Sequence, residues 1–224
     1  MSARRWLGAA ASAALVAVCA WVLPRTAGAA FADELGGVKG SVNSAKVGTS
    51  GATSEKELVV YLVPKQPVKL TPPSAPVIVS QKQLNFLPHV LPVIKGTKVQ
   101  FKNEDPVKHN VLCKDGAYKI DSDVDANASC ERVYDTPGVS QIGCRLHPDM
   151  GLYVIVLETP WFTTATIKKD EVDGKKVYLA DFELKGVPPG EYTLKTWNKK
   201  LAETSRDVVV EAGKTLTVDL ALEK

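Results

Sequence analysis

The sequence predicts an all-β protein built from sandwiches, and three observations carry that prediction. Its apolar runs are short and separated by clusters of Gly, Pro, Asn and Asp. Within several runs the apolar residues alternate with period two, as strands covered on one face require. No segment sustains a 3.6-residue period between helix caps. With 224 residues, 45% of them hydrophobic, the chain can build one large core or two small ones.

The first residues belong to neither core. Arg4 and Arg5 form a basic start, Trp6 to Leu23 is apolar, and Ala27-Gly28-Ala29 offers a small-residue cleavage site. This pattern predicts a secretory signal over residues 1–29, and hence a periplasmic or otherwise exported protein. The alternative is a retained membrane anchor, because the apolar run approaches spanning length. The formal charge of +3 falls to neutrality once Arg4, Arg5 and Arg25 leave with a segment that has no acidic residue. A near-neutral remainder gives no electrostatic case for nucleic acid, and for a membrane only through a retained anchor.

The strands follow in order. Val38, Gly40 and Val42 mark a first short strand, and Gly48-Thr49-Ser50-Gly51 a loop. Leu58 to Val63 is apolar on both alternating faces, which predicts a strand covered on two sides. Pro64 to Pro76 holds Pro67, Pro72 and Pro73 and reads as an extended connection at a module boundary. From Val77 to Glu158 strands come quickly: 77–79, Phe86, 90–94, 98–103, 109–113, 139–144 and 152–157, with turns at Gly96 and Pro137-Gly138. Asp121, Asp123 and Asp125 alternate as calcium ligands would, but no glycine turn or terminal glutamate follows, so a solvated loop is expected there. After Pro160, Asp173-Gly174 is a hairpin signal and Val187-Pro188-Pro189-Gly190 a turn. The last strand sets Leu216, Val218, Leu220 and Leu222 inward against Thr215, Thr217 and Asp219.

One constellation carries chemistry. Cys144, His147 and Met150 stand at C-x2-H-x2-M spacing, and His109 lies upstream in a strand-like run. Two imidazoles, a thiolate and a weak thioether form the donor set of a type 1 copper site. A structural zinc site, which seldom uses methionine, is the rival. One short loop cannot fix such a geometry alone, so a donor from another strand is needed. Pro148 removes a possible N–H donor beside the metal and stiffens the loop. The Asn110 amide is placed to tie the two donor-bearing segments together. His89 has no partner at ligand spacing and reads as an ordinary surface or strand histidine. Of the four cysteines, Cys19 leaves with the signal; with Cys144 assigned to metal, Cys113 and Cys130 remain. Export makes a disulfide between them the expectation, with two buried free thiols as the alternative.

The stretch from Phe86 to Val156 resembles the cupredoxins, especially the plastocyanin and amicyanin type. Phe86-Leu87-Pro88, Gly96, Val99-Gln100-Phe101, Asn103, Asp105, His109-Asn110-Val111, Pro137-Gly138 and the Cys144 to Met150 motif carry the likeness. It implies a Greek-key β-sandwich over 77–158 with one copper at one end, and His147 nearest solvent as the electron's exit. Cupredoxins commonly place an aromatic residue shortly before the cysteine, where this chain has Ser140, Gln141, Ile142 and Gly143. A binuclear centre would need C-x3-C, which Arg145 and Leu146 do not supply.

The flanks, 36–64 and 160–224, resemble the two halves of a carboxypeptidase-regulatory or transthyretin-like sandwich. Val38-x-Gly40-x-Val42, Val59 to Leu62, Phe182-x-Leu184 and Val187-Pro188-Pro189-Gly190-Glu191-Tyr192-x-Leu194 carry that likeness. The expected arrangement is a discontinuous sandwich with the copper domain inserted. The rival is an N-terminal extension plus a separate C-terminal domain.

The functional expectation is an exported carrier of single electrons between redox proteins, such as a cytochrome or an oxidoreductase. No triad, paired carboxylates or second copper site points to an enzyme. The alternatives are an envelope copper-binding or copper-delivery protein, and an adhesion module with a vestigial site. Apart from Met1, the chain has a single methionine, Met150, which speaks against delivery through methionine clusters.

Overall fold

The computed structural model describes residues 34–44, 53–172 and 174–222. The expected signal segment, Cys19, the 48–51 loop and Asp173 lie outside them. The architecture is all-β, with a single short helix, α1 (Thr53–Lys56), among the described residues. None of the described helices is long and apolar enough to cross a membrane.

The chain opens with β1 (Gly36–Ser44) and, after α1, β2 (Glu57–Pro64). No strand is formed from Lys65 to Pro76, where the prolines remove donors and favour extended chain. Then come β3 (Val77–Lys82), β4 (Asn85–Leu87), β5 (Val90–Ile94), β6 (Thr97–Asn103), β7 (His109–Cys113), β8 (Asp121–Val124), β9 (Ser129–Tyr134), β10 (Gly138–Gly143) and β11 (Gly151–Leu157). The last third holds β12 (Phe162–Thr166), β13 (Lys168–Val172), β14 (Lys175–Val187), β15 (Gly190–Trp197), β16 (Ser205–Val210), β17 (Thr215–Thr217) and β18 (Leu220–Leu222).

These strands form four sheets, ordered β4-β3-β6-β9, β5-β11-β10-β7-β8, β12-β2-β15-β16, and β13-β14-β1-β17 with β18 also on β1. The first two sheets enclose one core, in which Phe86, Phe101, Tyr134, Ile142 and Leu152 are fully buried. The other two enclose a second core around Val38, Leu58, Leu62, Leu194 and Val187. Strands 57–64 pair with 162–166 and 190–197, and β1 pairs with β14, so residues from both ends of the chain share the second core. A third, smaller apolar cluster of Val59, Val90, Ile155, Leu157 and Trp197 joins the two sandwiches. Both outer faces that read as apolar in sequence, on β2 and β11, are buried there.

Three expectations are corrected. Residues 121–124 are not a loop but β8, paired antiparallel with β7. The predicted last strand is broken into β17 and β18, both parallel to β1. Its middle residue, Val218, instead crosses over Gly40: a Cβ built on Gly40 would lie 1.8 Å from the Val218 carbonyl oxygen. Only a residue without a side chain permits that approach, and the Val218 N–H donates to the Lys39 carbonyl at 2.8 Å. Finally, Cys113 and Cys130 are free thiols, not a disulfide. They stand on different sheets, and the Cys113 thiol is turned onto Asp115 Oδ1 at 2.9 Å. Burial, reinforced by Asp115, pushes the Cys113 thiol up, and burial pushes Cys130 up, so both are poor thiolates.

Candidate metal centre

His109 opens β7 and is fully buried. Cys144 directly follows β10 and is 3% exposed. The loop after it turns back at once, because the Met150 N–H donates to the His147 carbonyl at 3.0 Å before β11 begins. The pairing of β10 with both β7 and β11 therefore carries the His109 segment and the Cys144 loop to the same end of the sandwich.

There His109 Nδ1 lies 3.0 Å from His147 Nδ1, and Cys144 Sγ lies 3.6 Å from the same His147 nitrogen. The ligand atoms of His109, Cys144 and His147 all fall within 4.8 Å of one another. Met150 is 1% exposed and packs in the same core cluster as Cys144. His147 is only half-buried, and Leu146, Pro148 and Asp149 beside it are exposed. His89 lies apart from this group, its carbonyl accepting from the Tyr153 N–H.

The orientation of His109 has a specific cause. Its Nε2 lies 2.8 Å from Asp105 Oδ2. Asp105 is buried, which pushes its carboxyl up, but hydrogen bonds from the Leu84 N–H, the His109 ring and the Gln83 N–H outweigh burial and hold it below the usual carboxylate range. An ionised Asp105 only accepts, so the proton of neutral His109 sits on Nε2 and the Nδ1 lone pair faces His147. Asp105 also stabilises a hairpin turn. Gln83 and Leu84, at φ of 51° and 57°, are non-glycine residues in left-handed conformation, and both donate their N–H to its carboxylate at 2.6 and 2.9 Å. Asn103 sets Asp105 in turn, accepting its N–H at 3.0 Å while donating to the Val107, Val124 and Asp125 carbonyls.

Asn110 organises the sulfur side. Its N–H points at Cys144 Sγ at 3.3 Å and its Oδ1 accepts from the Arg145 N–H at 3.4 Å. The Asn110 side-chain amide donates to Asp121 Oδ1 and Asp123 Oδ1 at 2.9 and 3.0 Å, and the Arg145 guanidinium meets the same two carboxylates at 3.2 and 3.0 Å. Asp123 is held below the usual range, first by Asn110 and then by Arg145. In the sequence, Asp105, Asp121, Asp123 and Arg145 show no role at the metal donors: Asp105 enters only through the family likeness, and Asp121 and Asp123 only as a solvated loop. Only the four-residue gap from Asp105 to His109 hints at one.

The donor set fits a soft or borderline cation. Two imidazole nitrogens and a sulfur converge, one imidazole is held in the tautomer that offers its lone pair inward, and a thioether lies in the next turn.

No protein-family model and no curated protein matches the chain. Among solved structures it is similar to a reduced mutant amicyanin, at 20% identity and TM-score 0.36, covering 38% of this chain and 85% of that one. It is also similar to a copper-containing nitrite reductase from Thermus scotoductus SA-01, at 25% identity and TM-score 0.36, covering 42% of this chain and 26% of that one. A third likeness is to a purple cupredoxin from Nitrosopumilus maritimus, at 23% identity and TM-score 0.33, covering 36% of this chain and 99% of that one.

Proposed function

We propose that this protein is an exported single-copper electron carrier rather than an enzyme, with His109, Cys144, His147 and Met150 as its ligands. The observation that carries the reading is the convergence of His109 Nδ1, His147 Nδ1 and Cys144 Sγ within 4.8 Å at one end of a sandwich. A copper ion bound there would supply one-electron chemistry, alternating between Cu(II) and Cu(I). The protein's part is to hold the donors still. Asp105 fixes the ring and tautomer of His109, and Asn110 fixes the cysteine loop through its backbone and side chain. Burial of Cys144, Met150 and His109 excludes water from three of the four donors. The half-buried His147, ringed by exposed Leu146 and Pro148, is the route by which an electron passes to a redox protein docked on that face. The second sandwich, read as a carboxypeptidase-regulatory or transthyretin-like module interrupted by the copper domain, holds a partner or a surface.

The test is to add Cu(II) to the purified protein and record its visible spectrum before and after ascorbate. An intense thiolate-to-copper band that bleaches on reduction and is lost in Cys144→Ser supports the carrier. A colourless protein that binds Cu(I) and surrenders it to a chelator would point to copper delivery instead. A protein that retains no copper would sink both readings.

A further inference from the structure

The two sandwiches meet along one face of β2 and β15 and the outer face of β11. Register sets Tyr61 opposite Lys195, and Val59 opposite Trp197. Period-two alternation therefore places Val59, Tyr61, Lys195 and Trp197 on one face, directed at the other sandwich. Val59 and Trp197 close against Val90, Ile155 and Leu157. Beyond that contact the faces diverge and leave a cavity of about 300 Å³.

The cavity is unlike a mere packing gap. Val139, Ile155, Leu157 and the Trp197 ring give it apolar walls. Four residues with polar groups line it, and their side chains make no hydrogen bond or ion pair among the described residues: Tyr61, Trp197, Lys195 and the exposed Glu203. Glu158, also at the rim, is already paired with Lys95 at 3.2 Å. Lys195 is half-buried yet does not reach Glu203. Burial, and then the Glu203 charge, push the Tyr61 phenol up, so its hydroxyl stays protonated and can donate. Apolar walls with a few convergent polar groups, at a seam between domains, are what small-molecule sites share, and this volume lies at the lower end of their size range.

Charge narrows the ligand. A simple cation would meet Lys195, and a simple anion would meet Glu203. A molecule with both charges satisfies both. We propose that this seam binds a small zwitterion with an apolar body, of the class of a free apolar amino acid. Its carboxylate lies toward Lys195 and the Trp197 N–H, its ammonium toward Glu203, and its side chain on Val139, Ile155 and Leu157. This site is separate from the metal centre and does not depend on copper.

Isothermal titration calorimetry of the full chain with L-phenylalanine tests it, alongside phenethylamine and 3-phenylpropionate, which each keep one charge. The expected result is saturable one-site binding of L-phenylalanine, with each analogue weaker by about tenfold or more, equivalent to roughly 1.4 kcal/mol. Lys195→Met and Glu203→Gln should each weaken L-phenylalanine by a similar factor. Among the described residues neither side chain makes a hydrogen bond or ion pair, so neither change should alter the melting temperature appreciably. No heat from L-phenylalanine, equal binding of a singly charged analogue, or unaltered affinity in both variants would each overturn the proposal.

Discussion

Asp105 Oδ2 sits 2.8 Å from His109 Nε2 while the same carboxylate takes the N–H groups of Gln83 and Leu84. A buried anion thus joins a surface hairpin to a candidate metal ligand. Replacing it by Asn halves the acceptors and removes the charge. Asp105→Asn should destabilise the metal-free protein by about 1.5–3 kcal/mol, read from urea unfolding. It should also weaken copper retention by roughly 10–100-fold in chelator competition.

Asn110→Ala leaves its backbone N–H on Cys144 Sγ but removes the acceptor for the Arg145 N–H and the donors to Asp121 and Asp123. Two neighbouring carboxylates then lose their amide donor and keep the Arg145 guanidinium between them. A loss of about 1–3 kcal/mol in unfolding free energy is expected. Raised salt should recover part of it, by screening the repulsion between the two exposed carboxylates. Equal stability of variant and parent at all salt concentrations would show that the network is not tying the loop.

Glu57 reaches from β2 across the seam, and its Oε2 is buried without a hydrogen-bond partner among the described residues. Burial raises its pKa, opposed by the Val90 N–H. The folded state therefore holds the proton to higher pH than the unfolded chain does. Its contribution to stability is full below the unfolded glutamate value, about 4.3, and is lost as pH rises through the folded value. Glu57→Gln should keep more of its acid-side stability on going to neutral pH than the parent does. Melting temperatures of both proteins across that range would show it as a gap that widens with pH.

Gly40 lies under the Val218 carbonyl, where a Cβ has only 1.8 Å. The obstacle is backbone, so no rotamer change relieves it. Gly40→Ala should cost about 3 kcal/mol or more, at the upper end of overpacking effects, and lower the melting temperature accordingly. At temperatures where the variant stays folded, its copper spectrum should match the parent's, because Gly40 belongs to the second core.

Alkylation without reductant should label Cys113 and Cys130 in the denatured protein, since both are free thiols in the fold. Mass spectrometry of the peptides decides it, and an unlabelled, linked pair would contradict the structure.

The all-β class was legible because alternation and turn residues are local properties: a strand's exposed and covered faces are written every second residue. The donor chemistry was legible for a related reason, since Cys144, His147 and Met150 share one loop and the spacing itself is informative. What the sequence could not say concerns partners brought together from afar. Asp121 and Asp123 read as a solvated loop because nothing local reveals that Asn110 and Arg145 will meet them. Cys113 and Cys130 pair in the sequence reading because they are the two cysteines left over in an exported chain, whereas the fold puts them on separate sheets and gives one an Asp115 partner. The last strand looked continuous because its alternation is unbroken, yet its backbone had to step over Gly40. Patterns along the chain determine which faces are buried and which atoms can ligate. Register between strands, which the sequence specifies only through the whole packed core, decides which of those atoms touch, which charges are shared and where the seam between the sandwiches stays open.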